Sequence, residues 1–243
     1  MIDLHAHILP GYDDGVRSID EARALARAAA AEGVTAIAAT PHVRADYPTT
    51  LERMLRGVEL LRTDFAREGI DIDVLTGGEI DLDRMQRLRA DELRGFTLAG
   101  NGRWLLVEMP YRGWPAQLER RLEALRSEGL EAVLAHPERN AHVQADPGRL
   151  APLVAAGARV QITAASVDGR LGSKARACAH ELVQAGHAHV LATDAHAPAV
   201  RAAGLTGAVA ALGDDRTARR LTVDNPCAIV AGTPVPQNSA DSA

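Results

Sequence analysis

Seven short apolar runs divide this chain, at residues 2–4, 35–39, 72–75, 104–107, 132–135, 159–162 and 189–192, each bounded by Gly, Pro or charge. Between them lie longer stretches of helical period, such as residues 19–32 and 51–68. The first of these opens on Ser18 with Glu21 three residues later, a capping-box pattern, and closes at Gly33. Strand followed by helix throughout predicts an α/β fold with a parallel sheet. Seven such units within one domain length favour a TIM-like (β/α)7 barrel over an open doubly wound sheet.

Residues able to bind metal follow six of the seven runs. His5 and His7 follow the first, His42 the second, Glu79 the third, Glu108 the fourth, His136 the fifth, and Asp194 and His196 the last. In a parallel barrel these positions share one rim, where residues distant in sequence meet. Side chains alternate along a strand, so His5 pairs in direction with His7, and Asp194 with His196. Asp14 sits in the loop Gly11-Tyr12-Asp13-Asp14-Gly15 after the first run. This concentration of imidazoles and carboxylates exceeds what one ion needs. It suits two or three divalent ions bridged by a carboxylate. An all-nitrogen-and-oxygen donor set admits Mn, Fe, Zn, Co or Mg. His142, His180 and His187 fall in expected loop or helix, and the strand parity of His189 turns it away from the rim.

Bulk properties narrow the field. The chain has 243 residues, 47% of them hydrophobic but only 3% aromatic, so small aliphatic side chains must fill the core. A net charge of −5 provides no basic field for a nucleic-acid backbone. No signal-peptide pattern opens the chain and no long uncharged apolar stretch predicts a membrane span. Two cysteines support neither a disulfide framework nor a Cys-rich zinc site. The expectation is a cytoplasmic protein with one domain over residues 1–233 and a disordered tail over 234–243.

The motifs Ile2-Asp3-Leu4-His5-Ala6-His7, Asp13-Asp14-Gly15, Ala39-Thr40-Pro41-His42, Gly78-Glu79, Val107-Glu108-Met109-Pro110, Ala135-His136-Pro137-Glu138-Arg139 and Thr193-Asp194-Ala195-His196, in this order, resemble the polymerase and histidinol phosphatase (PHP) superfamily. Within it the chain is most similar to the bacterial manganese-dependent tyrosine-protein phosphatases of capsule and exopolysaccharide loci, from Met1 to about Gly232. The resemblance implies a distorted seven-stranded barrel with three metal ions, Mn foremost. It places His5, His7, Glu79 and Asp194 on the first ion. Glu79 would bridge to a second completed by Glu108 and His136, and Asp14, His42 and His196 would hold the third. Carboxylates at Asp14 and Glu108 favour the tyrosine-phosphatase branch over the histidinol-phosphatase branch. The resemblance also makes Arg139 and Arg201 phosphate ligands, a role suited to the planar guanidinium fork. Ala197 and the stretch Val43-Arg44-Ala45-Asp46-Tyr47-Pro48 depart from the family pattern at the expected substrate entrance.

The implied chemistry is in-line attack on phosphorus by a metal-bridging hydroxide. A cysteine phosphatase is excluded, because the position six after Cys178 is Gln184 and six after Cys227 is Thr233, where an Arg is required. A carbamylated-lysine amidohydrolase fits poorly, since the one lysine, Lys174, lies in or before a helix far from any run. The expected substrate is a phosphotyrosine protein, an autophosphorylated bacterial tyrosine kinase tail. The alternatives are a small-molecule phosphatase acting on histidinol phosphate or a nucleotide, and a non-catalytic metal-stabilised interaction domain.

Overall fold

In a computed structural model of the chain, which describes residues 1–196 and 204–236, every apolar run forms a strand. In chain order the strands are β1 (Ile2–Ala6), β2 (Ala36–Ala39), β3 (His42–Val43), β4 (Asp73–Leu75), β5 (Glu79–Asp81), β6 (Trp104–Glu108), β7 (Glu131–Ala135), β8 (Arg159–Thr163) and β9 (Val190–Ala192). β3 and β5 are short continuations of β2 and β4. They pair in a different sheet from the strands they continue. A three-stranded sheet runs β1-β2-β4 and a six-stranded sheet runs β3-β5-β6-β7-β8-β9, with every pairing parallel.

The expected single ring of seven strands therefore appears as two sheets. The division has a local cause. Pro41 has no N–H to extend the β2 ladder, and Gly77-Gly78 interrupts the third arm. Gly78 lies so close to its neighbours that a Cβ there would sit 2.9 Å from Phe96 Cδ1 and 3.0 Å from Val43 Cγ2. Beyond the break the Glu79 amide donates to the Pro41 carbonyl at 3.1 Å and pairing resumes at the same offset, with His42 opposite Glu79. Where β1 meets the end of β9 there is no ladder, only a bridge between Ala6 and Ala195, with His7 N donating to Ala195 O (3.0 Å) and Asp194 N to His5 O (2.8 Å).

Both faces of the strands are buried, as expected of a parallel sheet packed on both sides. Leu105, Val107, Leu134, Val160 and Ile162 join the larger core with the helices. Leu4, Ala38, Trp104, Leu106, Val133, Val190 and Ala192 form a second, inner cluster. Along β1, Leu4 belongs to the inner cluster and Ala6 to the outer one, and the change falls at a register irregularity between Asp3 and Ala6. The helices start as the capping signals predict: Ser18 Oγ accepts from Glu21 N ahead of Ile19–Ala31, and Thr50 caps Leu51–Arg67. No helix among the described residues is long and apolar enough to cross a membrane.

The end of the chain corrects one expectation. The tail was expected to be disordered from residue 234, yet Val235 is buried in the inner cluster. Trp104 Nε1 donates to Thr233 O at 3.0 Å, and Arg159 Nε donates to Val235 O at 3.1 Å. Two buried donors at the bottom of β6 and β8 need acceptors, and the chain end supplies them. Residues 237–243 lie outside the described residues.

His189 is fully buried beside this floor, with its Nδ1 accepting from Val160 N at 3.3 Å. Burial, aided by the Arg159 charge, holds its pKa down at about 3. A neutral His189 contributes stability in full above the unfolded value of about 6.5, and that contribution is lost as pH falls toward the folded value. His189→Gln is therefore expected to flatten the acid limb of the urea-midpoint profile between about pH 6.5 and 4. Parallel profiles for the two proteins would show that His189 is not held neutral.

Candidate metal centre

The strand breaks and strand ends gather the expected residues. His5, His7, His42, Glu79, Glu108, His136, Asp194 and His196 are all buried, and Asp14 is exposed at the mouth. His42 and Glu79 are register partners in β3 and β5, and Glu108 ends β6. The loop carrying Asp14 folds tightly beneath His7. A Cβ at Gly15 would overlap the His7 carbonyl and Cβ, so only glycine fits. His136 and Asp194 have φ of 38° and 50°, a left-handed conformation for non-glycine residues. Such backbone costs about 1–3 kcal/mol per residue and persists where surrounding contacts over-determine it.

The side chains fall into four overlapping donor groups: His7, Asp14, His42 and His196; His5, Glu79 and His136; His5, His7 and Asp194; and His42, Glu79 and Glu108. Glu79 lies at their junction. Its Oε2 is 3.5 Å from His5 Nε2, 3.4 Å from His7 Nε2 and 2.8 Å from His42 Nδ1, while Oε1 is 2.8 Å from His136 Nε2. Oε2 nevertheless forms no hydrogen bond of acceptable geometry, nor does His42 Nδ1. His5 Nε2 and His7 Nε2 are 3.3 Å apart, and Asp194 Oδ1 lies 3.4 and 3.3 Å from them. Converging buried donor atoms, with Glu79 Oε2 and His42 Nδ1 left without a hydrogen bond, suit a shared divalent cation, and an all-N/O set fits one of the hard or borderline ions.

Of the expected first set, His5, His7 and Asp194 share one donor group, while Glu79 joins His5 through the group with His136. The third set gains His7, whose ring centroid is 4.0 Å from that of His196 and 4.5 Å from that of His42. The second set is arranged differently. Glu108 groups with His42 and Glu79, and His136 with His5 and Glu79, so Glu108 and His136 share no group. Arg44 accounts for part of this, since its Nη1 donates to Glu108 Oε1 at 2.9 Å.

Electrostatics bind the cluster together. Burial works against a charged His7, yet Asp13 raises its pKa well above the usual imidazole value. Burial likewise opposes charge on His42, but Asp14 and Glu79 lift it to about 9. Burial would raise Glu79, and the charge of His5 with the hydrogen bond from His136 holds it well below the carboxylate range instead. Glu108 moves the other way, pushed up by burial and by the Glu79 charge. Protons thus occupy imidazoles that must be neutral to ligate a cation, which couples ion binding to proton release.

Several supporting residues escaped the sequence reading. Asp13 Oδ2 accepts from His7 Nδ1 at 2.7 Å and from His42 N at 2.9 Å, orienting two donors from one carboxylate. Gln161, an amide within an otherwise apolar run, sits beneath His5. Its Oε1 lies 3.0 Å from His5 Nδ1 and accepts from His136 N at 3.3 Å. The backbone donor identifies that atom as the oxygen, so His5 carries its proton on Nδ1 and aims Nε2 into the cluster. Asp3 accepts from His5 N and Thr193 N and pairs with Thr193 Oγ1, tying β1 to the segment bearing Asp194. Fully buried Glu138 accepts from Thr163 N and Ser166 Oγ and anchors the turn between His136 and Arg139. Only Asp13 and Gln161 had a legible signal, as polar residues in a motif and in a strand.

Arg139 lies at the edge of the cluster. Its Nη1 donates to Asp194 Oδ2 at 2.7 Å, and its guanidinium stacks 4.4 Å from the Tyr111 ring centroid. On the opposite bank Tyr47 stacks on His42 at 5.7 Å, with Arg44 over its ring at 5.2 Å. Arg201 and Ala197 lie outside the described residues. His142, His180, His187 and His189 join no donor group. Burial pushes the Cys178 thiol up to about 12, in keeping with the exclusion of cysteine chemistry. Lys174 is exposed on the helix Ser173–Gln184.

Parallel strands bearing a polynuclear N/O donor cluster at their carboxyl ends define a metallohydrolase-like class of protein, and comparison with known proteins places the chain within it. The family model for capsular polysaccharide synthesis, CpsB/CapC, matches residues 1–231. The chain belongs to the CpsB/CapC family. It is 34% identical over 205 residues to tyrosine-protein phosphatase YwqE of Bacillus subtilis (strain 168), covering 81% of this chain and 77% of the relative. It is 27% identical over 241 residues to tyrosine-protein phosphatase CpsB of Streptococcus pneumoniae, covering 95% and 98%. A solved structure from work on YwqE and CpsB, described as unique metal-dependent tyrosine phosphatases, superposes with a TM-score of 0.88 at 28% identity, covering 98% of this chain and 97% of that one. An L-hydantoinase from Arthrobacter aurescens shares the fold alone, with a TM-score of 0.54 at 12% identity over 99% of this chain and 73% of that one.

Gln161→Leu is expected to lower Mn affinity, read by titration calorimetry, by about tenfold or more, because outer-shell partners of metal-ligating histidines typically contribute 10–100-fold. Unchanged affinity would show that Gln161 does not set the His5 tautomer.

Proposed function

We propose that the protein is a metal-dependent phosphomonoester hydrolase acting on phosphotyrosine in proteins, with residues 1–233 as the functional unit. The observation that carries this reading is the convergence of His5, His7, Asp14, His42, Glu79, Glu108, His136, Asp194 and His196 on one buried centre, with the Arg139 guanidinium at its edge. The names of the YwqE and CpsB relatives support the tyrosine assignment. In this reading the two sheets are halves of a distorted (β/α)7 barrel whose seam lies between β1 and β9.

His5, His7, Glu79 and Asp194 would hold one ion, with Glu79 shared toward His136 on one side and toward His42 and Glu108 on the other. Asp14, His42 and His196, with His7, would hold a further ion, so the site takes two to three, Mn foremost. When bound, such ions supply Lewis acidity and lower the pKa of water toward about 7. Arg139, fixed between Asp194 and Tyr111, presents a planar fork to phosphoryl oxygens, and Arg201 is proposed as its counterpart. A tyrosine leaving group, with a pKa near about 10, needs little protonation, and no general acid is assigned. The family's link to capsular polysaccharide synthesis suits a phosphorylated bacterial tyrosine kinase tail in the cytoplasm as substrate.

The test is hydrolysis by metal-stripped protein repleted with Mn, Zn, Mg or Co, comparing a phosphotyrosine peptide, a phosphoserine peptide and histidinol phosphate by kcat/KM. The expected result is metal-dependent turnover with preference for phosphotyrosine. Preference for histidinol phosphate would make the protein a metabolite phosphatase, and no turnover with any metal would leave a non-catalytic role. His5→Ala and Asp194→Ala should abolish turnover together with metal retention. Arg139→Ala should lower kcat/KM by about 100-fold or more while metal content stays normal, the scale of losing one charge-stabilising donor. Full activity in that variant would remove Arg139 from the phosphate site.

A further inference from the structure

A cavity of about 740 Å³ opens directly from the metal centre. Glu108 belongs to its lining and to the donor cluster alike, and Arg44 stands beside it. Beyond Glu108 its lining combines the apolar Leu82, Pro110, Tyr111 and Pro115 with the charged Asp46, Asp81, Asp83 and Arg121. Exposed large hydrophobic side chains are rare among the described residues: Leu55, Leu60 and Tyr111. Leu55 and Leu60 belong to the helix Leu51–Arg67, whereas Tyr111 follows β6 at the rim. Its ring centroid is 5.6 Å from that of His136, and it carries the Arg139 guanidinium on one face. It is 43% exposed and borders the cavity.

This placement has a chemical consequence that rests on the phosphatase reading above. A phosphoryl group held by Arg139 lies next to Tyr111, so a group esterified to it can extend along the wall that Tyr111 begins. A methyl or hydroxymethyl substituent is too short to cover that wall. A phenyl ring can lie along it, since a space of about 150 Å³ already accommodates benzene. We propose that Tyr111 and the wall beyond it form an aryl subsite, and that this subsite selects phosphotyrosine over alkyl phosphoesters by stacking against the substrate's own ring. Aromatic pairs add a modest increment beyond area burial, so the discrimination expected from Tyr111 is about tenfold. Arg139 has two partners in this arrangement, Asp194 and Tyr111, which sets the anion anchor and the ring platform in a fixed relation.

The test is calorimetric binding of two non-hydrolysable ligands, phenylphosphonate and methylphosphonate, to the Mn-loaded protein. Phenylphosphonate is expected to bind about tenfold more tightly. Tyr111→Phe should keep the difference and Tyr111→Ala should reduce it to about twofold or less. Ala116→Trp, which fills the cavity from its exposed wall, should also remove the difference while methylphosphonate binds as before. Equal affinities in the unaltered protein, binding of neither ligand, or a difference that survives Tyr111→Ala would overturn the proposal. So would equal weakening of both ligands by Tyr111→Ala, which would reduce Tyr111 to a support for Arg139. Metal-dependent phosphotyrosine hydrolysis with equal phosphonate affinities sinks the aryl subsite and leaves the phosphatase reading intact. Aryl preference in binding without turnover does the reverse.

Discussion

A carboxylate with no solvent exposure, Glu79, sits at the centre of this protein, and the surrounding structure is organised by the need to compensate it. An isolated buried charge is strongly unfavourable, so it must be met by opposite charge or by a cation. Imidazoles arrive from β1, from β3 and from the end of β7, and the carboxylates of Asp194 and Glu108 close the remaining sides. The offset that sets Ala36 of β2 opposite Asp73 of β4 also sets His42 of β3 opposite Glu79 of β5. The same two arms pair again beyond the interruptions at Pro41 and Gly77-Gly78, and this brings His42 and Glu79 together.

The same compensation reaches outward through neutral and charged supports. Asp13 serves His7 and His42, Gln161 serves His5, and Asp3 with Thr193 fixes the seam that carries His5 and Asp194. The left-handed backbone at His136 and Asp194 lies within this network. Strain at these two residues is sustained because their neighbours are anchored, His136 through Gln161 and Asp194 through His5 and Arg139. Opposite the rim, Trp104 and Arg159 bind the returning chain end, which closes the inner cluster from below.

The cavity beside Glu108 gives the centre an asymmetric approach. Its lining sets the Tyr111 ring beside charged residues, among them Arg44, which also holds Glu108. The stretch from Val43 to Pro48 contributes Arg44 and Asp46 to this cavity.

The residues that gather at the centre were legible from the chain alone, because strand period and strand ends dictate where side chains point. Apolar runs of strand length each became a strand, and the imidazoles and carboxylates after them came together. His5 and His7 converge as the two-residue repeat of extended backbone expects, whereas Asp194 and His196 lie beyond β9 on backbone that turns left-handed at Asp194 and join different donor groups. Other features depended on contacts that no local pattern encodes. The split into two sheets arises from the joint effect of Pro41 and of the close approach of Phe96 and Val43 to Gly78. The separation of Glu108 from His136 involves Arg44, and the folding of Val235 under the sheets follows from donors on Trp104 and Arg159. Sequence by itself determined which groups face the site, since that is a property of single strands. Tertiary structure alone decided which groups touch, because distance between strands is set by packing between segments far apart in the chain.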